Sequence, residues 1–120
     1  MSSDTIHIHL EVKVPEAKRA GFMALMNELV ERTRKEPGTL VYEWYDVGDT
    51  GTWHILERYA DAQNGDLHVK GFAEGYAGRF FELVTSCTGI VSDNATPYIK
   101  GVLAGISPLY IAQKGGFNRF

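Results

Sequence analysis

A chain of 120 residues, 44% apolar and 22% charged, has the size and make-up of one soluble domain with a modest core. Its net charge of −3 and scattered basic residues argue against a nucleic-acid partner, and no apolar run approaches the ~18 residues that cross a membrane. Cys87 is the single cysteine, which excludes an internal disulfide and a cysteine-rich zinc site. Met1-Ser2-Ser3-Asp4 lacks the basic start and apolar stretch of a secretion signal, so the expected location is cytoplasmic.

Residues 5–14 alternate, with Ile6, Ile8, Leu10, Val12 and Val14 on one face and His7, His9, Glu11 and Lys13 on the other. This is the period of a strand with one apolar face. Pro15 suits the first position of a helix. From Glu16 to Lys35 the residues Phe22, Leu25, Met26, Leu29 and Val30 recur at three and four, as on an amphipathic helix. Pro37 and Gly38 stop it. Residues 39–47 and 52–60 are rich in β-branched and aromatic side chains around Gly48-Asp49-Thr50-Gly51, which predicts a hairpin. Asp61 can cap a second helix running toward Phe72 and on to Phe81, weakened by Gly65, Gly71, Gly75 and Gly78. A fourth strand is expected over 82–91. Thr96-Pro97 begins a short helix ending near Gly105, and Leu109-Tyr110-Ile111 forms a brief last strand.

The series β-α-β-β-α-β is ferredoxin-like: an α+β fold with an antiparallel sheet and helices on one face. A core of about 5–91 with a C-terminal extension of about 94–120 makes one domain. The other sheet face carries aromatic as well as polar residues, which favours its burial against the sheet of a second copy in a homodimer.

The run Glu36-Pro37-Gly38 through Trp44, then His54 to Asp61, and His68 resembles the antibiotic biosynthesis monooxygenase family. The likeness extends from about Thr5 to Ile90. It implies a dimeric α+β barrel that oxygenates aromatic polyketides or quinols without flavin, haem or metal. The family places a glutamate and an aromatic, two residues apart, at the end of the third strand, with a histidine nine residues beyond. Glu57, Tyr59 and His68 match, although the aromatic is more often Trp and Gly65 replaces an apolar residue. Relatives on this fold that degrade haem use an asparagine on the first strand and a tryptophan ending the third. His9 and Tyr59 stand there instead.

The expected substrate is a small aromatic hydroxy compound reacting with oxygen, with no cofactor and no metal. His7 or His9 is the expected base, since imidazole titrates near neutrality. Tyr59 and His68 complete the catalytic set. Tyr42, Trp44, Trp53, Glu57 and Phe72 are the expected substrate contacts, with Trp53 stacking on the ring. Both the His7-His9-Glu11 face and the Trp53-Glu57-Tyr59 face are expected to line the barrel interior. Four alternatives stay open. The histidines can be a polar dimer face, His7, His9 and Glu11 can hold a metal, the chain can be a haem-binding relative on the same fold, and the cavity can bind an apolar ligand without turning it over.

Overall fold

A computed structural model describes residues 4–120. The elements are β1 (Ile6–Lys13), α1 (Arg19–Arg34), β2 (Thr39–Asp46), β3 (Thr52–Tyr59), α2 (Ala62–Gly75), α3 (Ala77–Leu83), β4 (Ser86–Ser92), α4 (Pro97–Leu103) and β5 (Leu109–Ile111). Short 3-10 turns occupy Glu16–Lys18 and Ala104–Ile106. The strands form one sheet in the order β2-β3-β1-β4-β5, in which only β4 and β5 run parallel. This is the expected α+β, ferredoxin-like arrangement with a C-terminal helix and short strand added.

The alternation in β1 turns Ile6, Ile8, Leu10 and Val12 into the core, where each is buried. Pro15 does not open the helix as expected. Its extended backbone (ψ 145°) leads into the 3-10 turn, and α1 starts only at Arg19. Phe22, Leu25, Leu29 and Thr33 are the buried stripe of α1, spaced at three and four. Phe22 lies among the rings of Trp53, Trp44 and Phe80, at centroid distances of 5.2, 5.4 and 6.0 Å. The β2–β3 hairpin closes through Gly51 at φ 79°, where an added Cβ would sit 2.8 Å from the Val14 carbonyl oxygen.

Asp61 caps α2 as expected, its carboxylate accepting from the Asn64 backbone N–H at 2.9 Å. The helix then breaks at Tyr76 (φ −135°), so the glycine-weakened region is two helices. Strand β4 consequently begins at Ser86, later than expected. The reason is Phe80, fully buried on α3 against Phe22, Phe72 and Trp44, which keeps the chain helical through Leu83.

Gly65 determines how the C-terminal extension docks. A Cβ there would lie 3.1 Å from Ile99 Cδ1 and 3.4 Å from Ile6 Cγ1. Its bare backbone lets Ile99 of α4 reach full burial against α2 and β1. Thr96 caps α4 and donates from its hydroxyl to Asp66 Oδ1 at 2.5 Å, tying the two helices together. Beyond β5 the chain returns toward the uncovered sheet face, where Phe120 lies under the Arg58 guanidinium. Gly65→Val should force Ile99 outward and lower stability by about 1–3 kcal/mol. Urea unfolding measures this, and an unchanged midpoint would show that α4 is not seated through this contact.

Candidate active site

The β1–β3 register decides which side chains meet. Ile8 lies opposite Glu57, Leu10 opposite Ile55 and Ile6 opposite Tyr59. His7 lies opposite Arg58, His9 opposite Leu56, and Glu11 opposite His54. Residues directly opposite each other share a face. Trp53, Ile55, Glu57 and Tyr59 therefore face the helices, and His7, His9 and Glu11 face away from them. The expectation that both groups line one interior is overturned, because even-numbered β1 residues pair with odd-numbered β3 residues. The catalytic set is split, with Tyr59 and His68 on the helix side and His7 and His9 on the other.

On β2, Tyr42 and Trp44 lie opposite Glu57 and Ile55 and so join the helix side, while Tyr45 is on the open face and half exposed. Between sheet and helices is a cavity of about 40 Å³. Ile8, Leu10 and Ile55 form its floor, and Tyr42, Trp44, Phe72 and Phe80 its aromatic wall. Glu57 and His68 supply its polar end, and Val102 and Leu103 from the C-terminal extension close it. Trp53 is not at this wall. It packs on Phe22 beneath the Arg19 guanidinium, so its expected place on a substrate ring is also corrected.

His68, buried on α2, is fixed from two sides. Its Nδ1 lies 2.9 Å from Glu36 Oε1, and its Nε2 lies 3.8 Å from Glu57 Oε1. Its ring packs at 5.1 Å against both Tyr42 and Tyr59. Burial alone would push the Glu36 carboxyl up. Hydrogen bonds from His68 and Thr39 and the charges of His68 and Arg32 outweigh burial and hold it below the ordinary value. An ionised Glu36 accepts the Nδ1 proton and fixes the ring with Nε2 turned toward Glu57. The Nε2–Glu57 distance is too long for a direct hydrogen bond.

Glu57 is buried and accepts a hydrogen bond from the Tyr59 hydroxyl. Burial pushes its carboxyl up, and His68 and Tyr59 only partly offset this. Burial also raises Tyr42 and Tyr59 well above ordinary phenols, reinforced by the Glu57 charge. Both tyrosines therefore stay protonated as donors. Tyr59 does not itself wall the cavity and acts on it through Glu57 and His68. The Trp44 indole N–H is buried beside the Tyr42 hydroxyl. Burial and the Glu57 charge push the Cys87 thiol up to about 11, leaving it a protonated, inert side chain.

On the open face, Arg58 Nη2 donates to His7 Nδ1 at 2.7 Å, and His9 Nε2 lies 2.8 Å from His54 Nδ1. Glu11 lies 3.8 Å from His54. His7 thus turns to Arg58, while His9 and Glu11 both reach His54, and the three do not converge on one ion. Among the described residues no group of three or more His, Cys, Asp or Glu side chains is arranged to hold a metal.

Sequence reasoning missed Glu36 as a site residue, because Glu36-Pro37-Gly38 carries so plain a helix stop. It also missed Phe80, Val102 and Leu103. A carboxylate held at a rigid turn just before a cavity strand is the signal that would have pointed to Glu36.

The antibiotic biosynthesis monooxygenase profile matches residues 5–86, and the chain belongs to that family. Among solved structures, MupZ from Pseudomonas fluorescens is 26% identical with a TM-score of 0.80, the match covering 99% of this chain and 92% of that one. A conserved protein from Methanosarcina mazei Go1 is 24% identical with a TM-score of 0.65, covering 72% of this chain and 89% of its own. Rv0793 from Mycobacterium tuberculosis is 24% identical with a TM-score of 0.62, covering 71% and 91%. The last two cover under three quarters of the chain and show the fold alone, whereas the MupZ match takes in the C-terminal extension. No curated protein sequence matches the chain.

A carboxyl raised on folding stabilises the fold below the ordinary carboxylate range and loses that contribution as pH rises toward its folded value. Glu57→Gln should therefore be more stable than wild type at pH 7, and the difference should close at about pH 4. Urea unfolding at the two pH values checks this. A variant less stable at neutral pH would mean that Glu57 is ionised at little cost.

Proposed function

We propose that this protein is a cofactor-independent monooxygenase for a small aromatic hydroxy compound, a quinol or polyketide-like molecule, with oxygen as co-substrate. The observation that carries the reading is the Glu36–His68 pair, a buried imidazole whose Nε2 lone pair is aimed into an aromatic-walled cavity. A ligand hydroxyl between His68 Nε2 and Glu57 gives up its proton to the imidazole. Glu36 steadies the imidazolium that forms, as the carboxylate of a catalytic triad does. The Trp44 N–H can donate to the developing oxyanion, while Tyr42 and Phe72 hold the ring.

In an anthrone-like ring the anion passes an electron to oxygen, and the two radicals combine at the ring carbon as a hydroperoxide. Loss of water then leaves a carbonyl where a CH2 stood. One oxygen atom stays in the product, the other leaves as water, and all the reducing electrons come from the substrate. The protein supplies the base, the orientation and a dry site. His7 and His9 take no part in this chemistry, since the sheet separates them from the cavity.

Pockets for ring-sized ligands run to ~300 Å³ or more, so the cavity must widen when a substrate binds. Val102 and Leu103, on the more exposed half of α4, are the wall that yields. The open sheet face, with Leu56 and Ile90 among its polar residues, is the surface on which two copies pair as a homodimer.

Oxygen uptake by chelator-treated protein is measured against a panel of anthrones and naphthohydroquinones. His68→Gln should cost ~100-fold or more in rate, and a His7→Ala/His9→Ala double variant should stay within a few-fold of wild type. Loss in the double variant alone would move the base to the open face. Ring binding without uptake would make the cavity a ligand-binding site. Light scattering should return twice the 13.4 kDa chain mass, and a monomer would contradict the pairing.

A further inference from the structure

A second and larger pocket, of about 720 Å³, opens on the other side of the sheet. His7 and Arg58 form its inner wall, Ser92 and Asn94 its side at the end of β4, and Gln113 and Lys114 of the returning tail its roof. Nothing in the oxygenase reading uses it. Arg58 is half-buried here, and no carboxylate among the described residues forms an ion pair with it. Its Nε is buried without an acceptor, and its plane is held over the Phe120 ring at 5.7 Å. A partly desolvated guanidinium without an anion is costly, and its fork geometry matches a carboxylate or phosphate.

The neighbours add donors. Because a guanidinium is always protonated, its 2.7 Å contact makes His7 Nδ1 the acceptor, and the imidazole proton sits on Nε2. Ser92 Oγ accepts from the His7 backbone N–H at 2.9 Å, which leaves the hydroxyl proton free to donate elsewhere. Arg58 and Lys114 against Asp93 leave the walls with a net charge of +1 while His7 is neutral. Burial, the Arg58 charge and His9 hold the His7 imidazole below its ordinary value, so the pocket disfavours further positive charge as built.

We propose that this pocket binds a small-molecule oxyanion, a carboxylate or a phosphate, seated on Arg58 and His7. The site lies across the sheet from the buried cavity, under the returning tail at one end of the face on which two copies are proposed to pair, and the oxygenase chemistry does not depend on it. An anion there relieves the unpaired guanidinium and favours protonation of His7, so binding and His7 charge are linked.

The test uses acetate and inorganic phosphate, each titrated at constant ionic strength against chloride, with NMR of the His7 imidazole and the Arg58 Nε–H. The expected result is a saturable shift with at least one probe and a His7 midpoint that moves up when the site is filled. The tighter probe identifies the anionic group. Arg58→Gln should weaken binding about tenfold or more, and Arg58→Lys, which keeps the charge and loses the fork, should weaken it less. His68→Gln should bind as wild type does. The proposal is overturned if neither probe saturates, or if Arg58→Gln binds equally well. It is also overturned if Arg58→Gln lowers the particle mass in light scattering without probe, since that gives Arg58's counter-charge to a second copy of the chain.

Discussion

The rest of the structure depends on the antiparallel register between β1 and β3. A slip of one residue would turn every side chain of β1 to the opposite face. Ile6, Ile8, Leu10 and Val12 would leave a core in which burying each is worth about 1.5–3 kcal/mol, and His7, His9 and Glu11 would enter it. That asymmetry locks the pairing Ile8–Glu57 and, with it, the separation of two polar sets by the thickness of one sheet. Glu57 and Tyr59 are delivered to His68 beneath the helices, and Arg58 and His54 to His7 and His9 on the open side.

A buried carboxyl such as Glu57 is tolerated because the Tyr59 hydroxyl donates to it and His68, itself held by Glu36, lies 3.8 Å away inside an aromatic shell. This arrangement is anchored where the backbone is stiffest. Pro37 and Gly38 end α1, the Ala60 N–H donates to the Gly38 carbonyl at 2.8 Å, and Thr39 donates to Glu36. The turn that stops a helix thus also orients the ring of a histidine on another. The two carboxyls move apart: Glu36 is held low by its partners, and Glu57 is pushed up by burial. The proposed proton transfer rests on this arrangement, an ionised carboxylate and a raised carboxyl on either side of an imidazole.

Much of this was legible in the residues. Alternation in 5–14 and the three-and-four spacing in α1 placed the first strand and helix, and the turn glycines placed the hairpin. Glu57, Tyr59 and His68 stood out through the resemblance to the family, whose pattern they match. Alternation says which residues of one strand share a face, but not which parity of one strand meets which parity of the next. That is a property of register, so His7 and His9 were grouped with Tyr59 across a sheet that separates them. Glu36 was hidden behind a stronger local signal. Val102, Leu103 and the pocket around Arg58 depend on where the C-terminal extension docks. The docking follows from the missing side chain of Gly65, and a sequence alone does not show what packs against a glycine.

The most direct measurement of the central claim, that ring chemistry belongs to the helix side, is a histidine-resolved NMR titration with 1-naphthol, a neutral hydroxy ring that binds without reacting readily with oxygen. The account predicts that His68 shifts with saturation while His7, His9 and His54 stay in place. Shifts at His7 and His9 with His68 unmoved would put the aromatic site on the open face and contradict it.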